Sequence, residues 1–509
     1  MTMKNLTICF LTAAACFAQP ADPRIGAILK ELASVHPFNQ VAISPDGKHV
    51  AWSEELIENG RDAGNSAIYF EDLPNGAAVR LASAKPAAEH DLVWSPDSSR
   101  VAFLSDRDKK GQMQLYVATA SGKNSHKLTN LTGYLTDARW SHDGTRIAVL
   151  FAENAPSGGG PLEAEPVETG VIGGEIHNQR LTIVDAGSGA AKQVSPADMN
   201  IYEYDWSPDG NTFAVSAAPG PGDNNWWIAQ LYTMPATTGK LTAIFKPETQ
   251  IALPRFSPDG SSIAFIQGLM SDEGFTGGDV FTISSTGGAA ENRTPNRKTS
   301  VSSIQWTAPG KMLLTEVAGG GSAITMLEVL SGRTERLWQG GENIHDEGNF
   351  PNFSVARDGK TAGVIRSDWQ HAPEVWAGPI GDWKQITHAN AALKPQWGDV
   401  KNIEWINEGS QVQGWLLYPR DYSPSKRYPM VVSIHGGPAN LNAQHWPGDR
   451  FDMTVLSALG YFVFFPNPRG SYGEGETFTR ANVKDFGYGD LRDIMAGVDA
   501  VLKDRRAHV

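Results

Sequence analysis

The chain has almost no cysteine. Of its 509 residues only Cys9 and Cys16 carry a thiol, and both lie near the N-terminus, so the rest has neither a disulfide framework nor a cysteine-ligated metal. Positive charge is also short. Lys and Arg number 43 against 56 Asp and Glu, a formal net charge of -13, which argues against nucleic acid as a partner. Beyond the N-terminus the sequence has no apolar run of about 18 residues, so no helical membrane span is expected. His-Glu-x-x-His is missing, and the calcium-loop-like start at Asp106-Arg-Asp108 has Ala118 at the position that would need Glu, so no metal is expected. Gly470-Ser-Tyr-Gly473-Glu-Gly475 lacks the strand-to-helix context of a dinucleotide loop, and no cofactor is expected either.

What is present begins with an export signal over residues 1–18. Lys4 supplies the positive start, Leu6 to Phe17 the apolar stretch, and the small residues up to Ala18 a cleavage site. The expectation is an exported protein, periplasmic or extracellular. Ala13-Ala14-Ala15-Cys16 lacks the leucine that a lipid-attachment site would carry, so no lipid anchor is expected.

The body of the chain is repetitive. Ile43-Ser-Pro-Asp-Gly47, Trp94-Ser-Pro-Asp-Ser98, Trp140-Ser-His-Asp-Gly144, Trp206-Ser-Pro-Asp-Gly210, Phe256-Ser-Pro-Asp-Gly260, Trp306-Thr-Ala-Pro-Gly310 and Val355-Ala-Arg-Asp-Gly359 align as seven blocks, spaced 46 to 51 residues apart except for one gap of 66. Ser, Pro, Asp and Gly in that order suit a type I turn, and large apolar residues alternating with Ala51, Ala102, Ala148, Ala214 and Ala264 start a strand after it. About four short strands fit each repeat. The spacing therefore predicts an all-β seven-bladed propeller over residues 37–392, its last blade closed by strands from both ends of the repeat region.

Residues 393–509 have a different texture. Asn402 to Glu408 and Gln413 to Pro419 suggest a hairpin; Tyr428 to Ile434 and Tyr461 to Phe465 read as nearly continuous apolar strands, with a helical segment around Phe451 to Leu459 between them. Asp490 is expected to cap a helix carrying Leu491, Ile494, Val498, Val501 and Leu502 on one face. Strand, helix, strand, helix is an α/β layout.

Seven such blades followed by His435-Gly436-Gly437-Pro438, Asn467-Pro-Arg469-Gly470-Ser471 and Phe486-Gly-Tyr-Gly-Asp490 resemble the prolyl oligopeptidase family of serine peptidases, in its acylaminoacyl-peptidase and dipeptidyl-peptidase branches. The resemblance implies an α/β-hydrolase domain facing the propeller, short peptides as substrates, and a Ser-Asp-His triad. It places His435, Gly436, Gly437 and Pro438 beside the oxyanion hole, and Asn467, Arg469, Gly470 and Ser471 along the same cleft. It also gives Glu163, Glu165 and Glu168, in the 66-residue gap, as contacts for a peptide's N-terminal ammonium, the alternative being a solvated acidic loop. Asn224-Asn-Trp-Trp227 offers chamber aromatics or plain hairpin packing.

The nucleophile elbow Gly-x-Ser-x-Gly is not found; the nearest match, Arg469-Gly470-Ser471-Tyr472-Gly473, has Arg in place of the first Gly. In the order Ser, Asp, His the triad would fall after Val509, so residues 393–509 are expected to be the first half of a hydrolase domain, and the chain inactive as given. A different reading is a non-catalytic periplasmic propeller that binds partners. The sequence sets no oligomeric state.

Overall fold

The computed structural model describes residues 22–57, 64–83, 86–155, 176–221, 223–348, 350–448 and 453–504. The expected export signal and the acidic residues Glu163, Glu165, Glu168 and Glu175 lie outside them. Seven antiparallel sheets follow one another along the chain, from Phe38–Ile43 in the first to Lys384–Gln385 in the seventh. Six are four-stranded meanders. In the seventh the innermost strand is split, Asn343–His345 and Ser354–Val355 both pairing with Thr361–Ser367.

The turn blocks are built as their residues require. Gly47 N donates to Ser44 O (2.9 Å), the Ser44 hydroxyl donates to Asp46 Oδ1 (2.6 Å), and Ser44 Oγ accepts from His49 N (2.9 Å). The serine-to-aspartate bond recurs at 2.6 Å in Ser95–Asp97, Ser141–Asp143, Ser207–Asp209 and Ser257–Asp259. Gly47, Gly144, Gly210 and Gly260 hold φ between 67° and 72°, the left-handed region that a side chain disfavours. Hydrogen bonds from the serine hydroxyl and from turn amides hold the Asp97, Asp143 and Asp259 carboxyls down to about 2. Ser141→Ala removes a buried hydroxyl that both donates and accepts, and is expected to cost about 1–2 kcal/mol. Ser257→Ala, two sheets away, should add to it independently; urea denaturation of the single and double variants checks both statements.

The tryptophan opening four of these blocks joins neighbouring sheets. Trp94, Trp140, Trp206 and Trp306 each donate Nε1 to a backbone oxygen of the preceding sheet, at Ala42, Val93, Arg139 and Arg255 (3.1–3.2 Å). Arg100 and Arg146 stack on Trp140 and Trp206 and reach the Gly144 and Gly210 carbonyls of the next turn. The alanines that follow the turns are fully buried, because sheet packs on sheet and both faces of each strand are covered. In the sixth block Pro309 and Gly310 form a two-residue hairpin, Ala308 facing Lys311.

The first and seventh sheets meet through Val41 N to Asp346 O (2.8 Å), Ile43 N to the Ser354 hydroxyl (3.0 Å) and Arg357 N to Pro45 O (2.9 Å). This corrects one expectation: each sheet comes from one continuous stretch, and the strand contact between the two ends is a single antiparallel bridge, Gln40 to Glu347. Side-chain packing adds to these backbone contacts. A Cβ at Gly363 would lie 2.9 Å from Ile43 Cγ1, so the small residue in the seventh block is what lets the first sheet approach.

After the repeats, strands Val400–Asn407, Ser410–Leu417, Phe462–Asn467 and Met430–Val432 form a mixed sheet in that spatial order, the last two parallel. The expected hairpin and parallel pair are both there, but Met430–Val432 is a half-buried edge and Ile434 is exposed. Between them the described helix is Val455–Ala458. The C-terminal helix, Gly489–Lys503, covers one face; Gly497 lets it approach, because a Cβ there would sit 2.7 Å from Trp405 Cζ2. Tyr488, not Asp490, occupies the N-cap, and Asp490 accepts from Gly487 N within the first turn. Ile494 and Val501 are buried, whereas Leu491 and Leu502 face solvent.

The opposite face is covered from the far end of the chain. Helix Pro23–Leu32, capped by Asp22 through Arg24 N, buries Ile28 and Leu32 together with Val35 among Trp369, Trp397, Trp415, Trp446 and Phe465. Arg24 also donates to Ala458 O (3.2 Å). The N-terminal helix thus belongs to the C-terminal unit.

Candidate functional site

His435 ends the apolar stretch begun by Met430–Val432, and Ser471 follows the strand Phe462–Asn467, so two neighbouring parallel strands deliver both to one end of the sheet. His435 Nε2 lies 2.9 Å from Ser471 Oγ, and Nδ1 lies 2.9 Å from Gly436 O. A carbonyl can only accept, so Nδ1 carries the proton and Nε2 accepts from the Ser471 hydroxyl. Burial holds the imidazole below its ordinary pKa, which keeps that neutral form. Ser471 is 1% exposed and its backbone oxygen accepts from Thr479 Oγ1 (3.0 Å). Its hydroxyl is turned inward.

Gly436 and Gly437 are exposed, and neither amide donates to a protein acceptor among the described residues. Two free backbone N–H groups beside a neutral histidine are the elements that stabilise a developing oxyanion. Gly437 has φ 132°, and Pro438 is followed by Ala439, whose N–H is held by Ser271 Oγ (3.0 Å) from the fifth sheet region.

Asn467 fixes the loop behind this strip. It accepts from Asn442 N (2.7 Å) and donates to Gln413 Oε1 (2.7 Å), while Gln413 donates to Asn402 (2.9 Å). Arg469 turns away from it: its guanidinium meets Asp493 (2.8 and 2.7 Å) and Glu408 (2.9 Å), clamping the C-terminal helix. Gly470 has no room for a side chain, a Cβ falling 2.3 Å from Asn482 Nδ2. Of the residues that the resemblance gives along the cleft, Asn467, Arg469 and Gly470 brace the loop and Ser471 is buried beneath it, while His435, Gly436 and Gly437 reach solvent.

Sequence reasoning missed Tyr472, which joins the two parts of the molecule. Its ring packs with Phe275, Phe350, Val317 and Ala439, and its hydroxyl donates to Phe275 O (2.9 Å). Gly473 N donates to Ser300 Oγ (3.0 Å), and Glu476 Oε1 accepts from Leu269 N (2.9 Å). Burial pushes the Glu476 carboxyl up to about 7. These partners lie far away in sequence, so no local pattern marks them. Of the aromatic pair, Trp226 is buried in the core whereas Trp227 is half exposed and donates to Ser271 O (2.9 Å).

Residues 447–508 match the model of the prolyl oligopeptidase family. An uncharacterized peptidase, YuxL, of Bacillus subtilis is 25% identical over 92% of this chain and 74% of its own length; dipeptidyl-peptidase 5 of Porphyromonas gingivalis is 24% identical over 92% and 71%. Among solved structures, Pyrococcus horikoshii acylaminoacyl peptidase shares the fold with a TM-score of 0.69 at 16% identity, over 93% of this chain and 72% of that one. An acylaminoacyl peptidase in complex with Z-Gly-Gly-Phe-chloromethyl ketone gives 0.70 at 16% identity, over 94% and 73%. With the glycine strip at the end of its parallel strands and seven sheets before it, the chain is similar to peptidases of the prolyl oligopeptidase family, whose model matches its residues 447–508.

Proposed function

We propose that the chain is the peptide-binding and oxyanion-side portion of an exported serine peptidase acting on short peptides. In this reading the seven sheets are the blades of a closed propeller, and residues 393–509 are the first half of an α/β-hydrolase domain. The observation that carries it is the His435-Gly436-Gly437 strip, with its two free amides held at the sheet end by the Ser471 hydrogen bond. The relatives named dipeptidyl-peptidase 5 and acylaminoacyl peptidase support a short peptide as the ligand.

These 509 residues supply donors for an oxyanion but no nucleophile elbow. Ser471 donates to His435 as a serine with a general base would, but it is shielded from solvent and its segment Arg469-Gly470-Ser471-Tyr472-Gly473 is not an elbow, so this reading gives it no attacking role. The chain from residue 19 to 509 is therefore expected to release nothing from aminoacyl or dipeptidyl chromogenic substrates. Turnover abolished by an active-serine phosphonylating reagent would overturn this. Reading the coding sequence past the Val509 codon for Gly-x-Ser-x-Gly followed by Asp and His is the companion test of the peptidase reading.

A further inference from the structure

The seven sheets surround a cavity of about 1100 Å³ to which each contributes a residue of its innermost strand or adjoining turn. Of its seven lining carboxylates, Asp137 is paired with Arg139 and Glu273 lies in the fifth sheet region; the other five fall into two groups. Asp91 accepts from Asp137 N (3.1 Å), Glu203 from Leu253 N (2.7 Å) and Asp205 from Phe256 N (2.8 Å), each tying one sheet to the next. These are structural. The second group is Asp346 and Glu347, in the break that splits the innermost strand of the seventh sheet. Asp346 holds Val41 through its backbone oxygen, so its side chain is not needed for that contact, and its buried Oδ1 has no hydrogen-bond partner. Glu347 holds only the Gln40 amide, at 3.3 Å.

The cavity's arginines make no direct ion pair with this pair among the described residues, though Arg255 partly offsets the rise at Asp346 and Arg139 that at Glu347. Arg139 is bound to Asp137 (2.8 Å) and lies over Tyr204, and Arg255 donates to Pro254 O (2.9 Å). A walled space with excess charge of one sign concentrates the opposite charge, because low-dielectric walls focus the field. Burial pushes Asp346 up to about 7, and burial with Asp91, Asp346 and Asp137 nearby raises Glu347 well above its ordinary range.

We propose that Asp346 and Glu347 form a cation subsite inside the cavity, which takes the side-chain ammonium or guanidinium of a lysine- or arginine-bearing peptide. An ammonium there gives Asp346 Oδ1 the donor it lacks and relieves the crowding of carboxylates. The inference rests on the peptide-binding reading for its ligand class, but not on hydrolysis.

Titration calorimetry at low salt separates the two. The probes are three pentapeptides with acetylated and amidated ends, identical except for lysine, norleucine or glutamate at two positions; blocked ends remove any contribution from the α-ammonium. The lysyl peptide should bind at least tenfold more tightly than the norleucyl one, and the glutamyl peptide should not bind. Asp346→Asn with Glu347→Gln keeps shape and the Gln40 contact, and should erase the lysyl preference while the norleucyl affinity stays the same. Equal binding of lysyl and norleucyl peptides, or an unchanged preference in the double variant, overturns the cation subsite and leaves peptide binding standing. If none of the three binds, both readings fall.

Discussion

Asp493→Ala is expected to lower the stability of the C-terminal unit by about 3–5 kcal/mol, the range for leaving half of a buried ion pair unpaired. Asp493 is fully buried and accepts from Arg469 N, Nε and Nη2 and from Asn407 Nδ2. Alanine strands the guanidinium against Glu408 alone and frees the helix Gly489–Lys503 from the loop that carries Ser471. Limited proteolysis should then clear residues after about 395 well before the sheets. The acid limb follows from the same contacts. Burial by itself would raise the Asp493 carboxyl, but the Arg469 and Asn407 hydrogen bonds outweigh it and hold it below the usual range. A depressed carboxylate stabilises the fold above its unfolded pKa, near 4, and that contribution drains away as pH falls through the lower folded value. Wild-type protein should therefore lose stability on acidification below about pH 4 partly through this group, and Asp493→Ala should flatten that loss. An unchanged acid limb in the variant would show that the pair does not set it.

Leu32→Ala should cost about 2–5 kcal/mol, as for a well-packed core leucine. Leu32 is 1% exposed and packs in the cluster that holds Trp369, Trp397, Trp415 and Trp446. The readout is built in. Four buried tryptophans share that cluster, so a denaturant transition followed by tryptophan emission should move to lower denaturant, with an early red-shifted phase that leaves the seven sheets folded. If emission and far-ultraviolet signals shift together by the same amount, the N-terminal helix stabilises the molecule as one cooperative unit.

The repeat was legible because each block closes its hydrogen bonds within six residues, from Ser44 to His49 in the first, so local sequence was enough to define it. The sheets' mutual packing was not: the Trp94 Nε1 bond to Ala42 and the Gly363 approach to Ile43 join residues a whole repeat or more apart. The helix Pro23–Leu32 went unassigned although Asp22 and Pro23 make a good start signal, since its apolar face finds partners only near the other end of the chain. At the site, the glycine strip was readable from its motif. Arg469 was placed with its motif neighbours along the cleft, but a charged side chain goes where its counter-charge is, and Asp493 has no fixed sequence distance from it.

The N-terminal helix has a consequence for how the protein is made. Ile28, Leu32 and Val35 leave the ribosome before the seven sheets, and of the tryptophans that cover them Trp369 comes within the seventh sheet and Trp397, Trp415 and Trp446 after it. At roughly 5–20 residues per second the helix waits on the order of tens of seconds for its partners. Throughout that interval a short amphipathic segment lacks its partners, so folding of the C-terminal unit cannot finish until synthesis has passed Phe465. The contacts between the first and seventh sheets, Val41 N to Asp346 O among them, need no residue of the C-terminal unit, so that junction can be secured while the helix still waits.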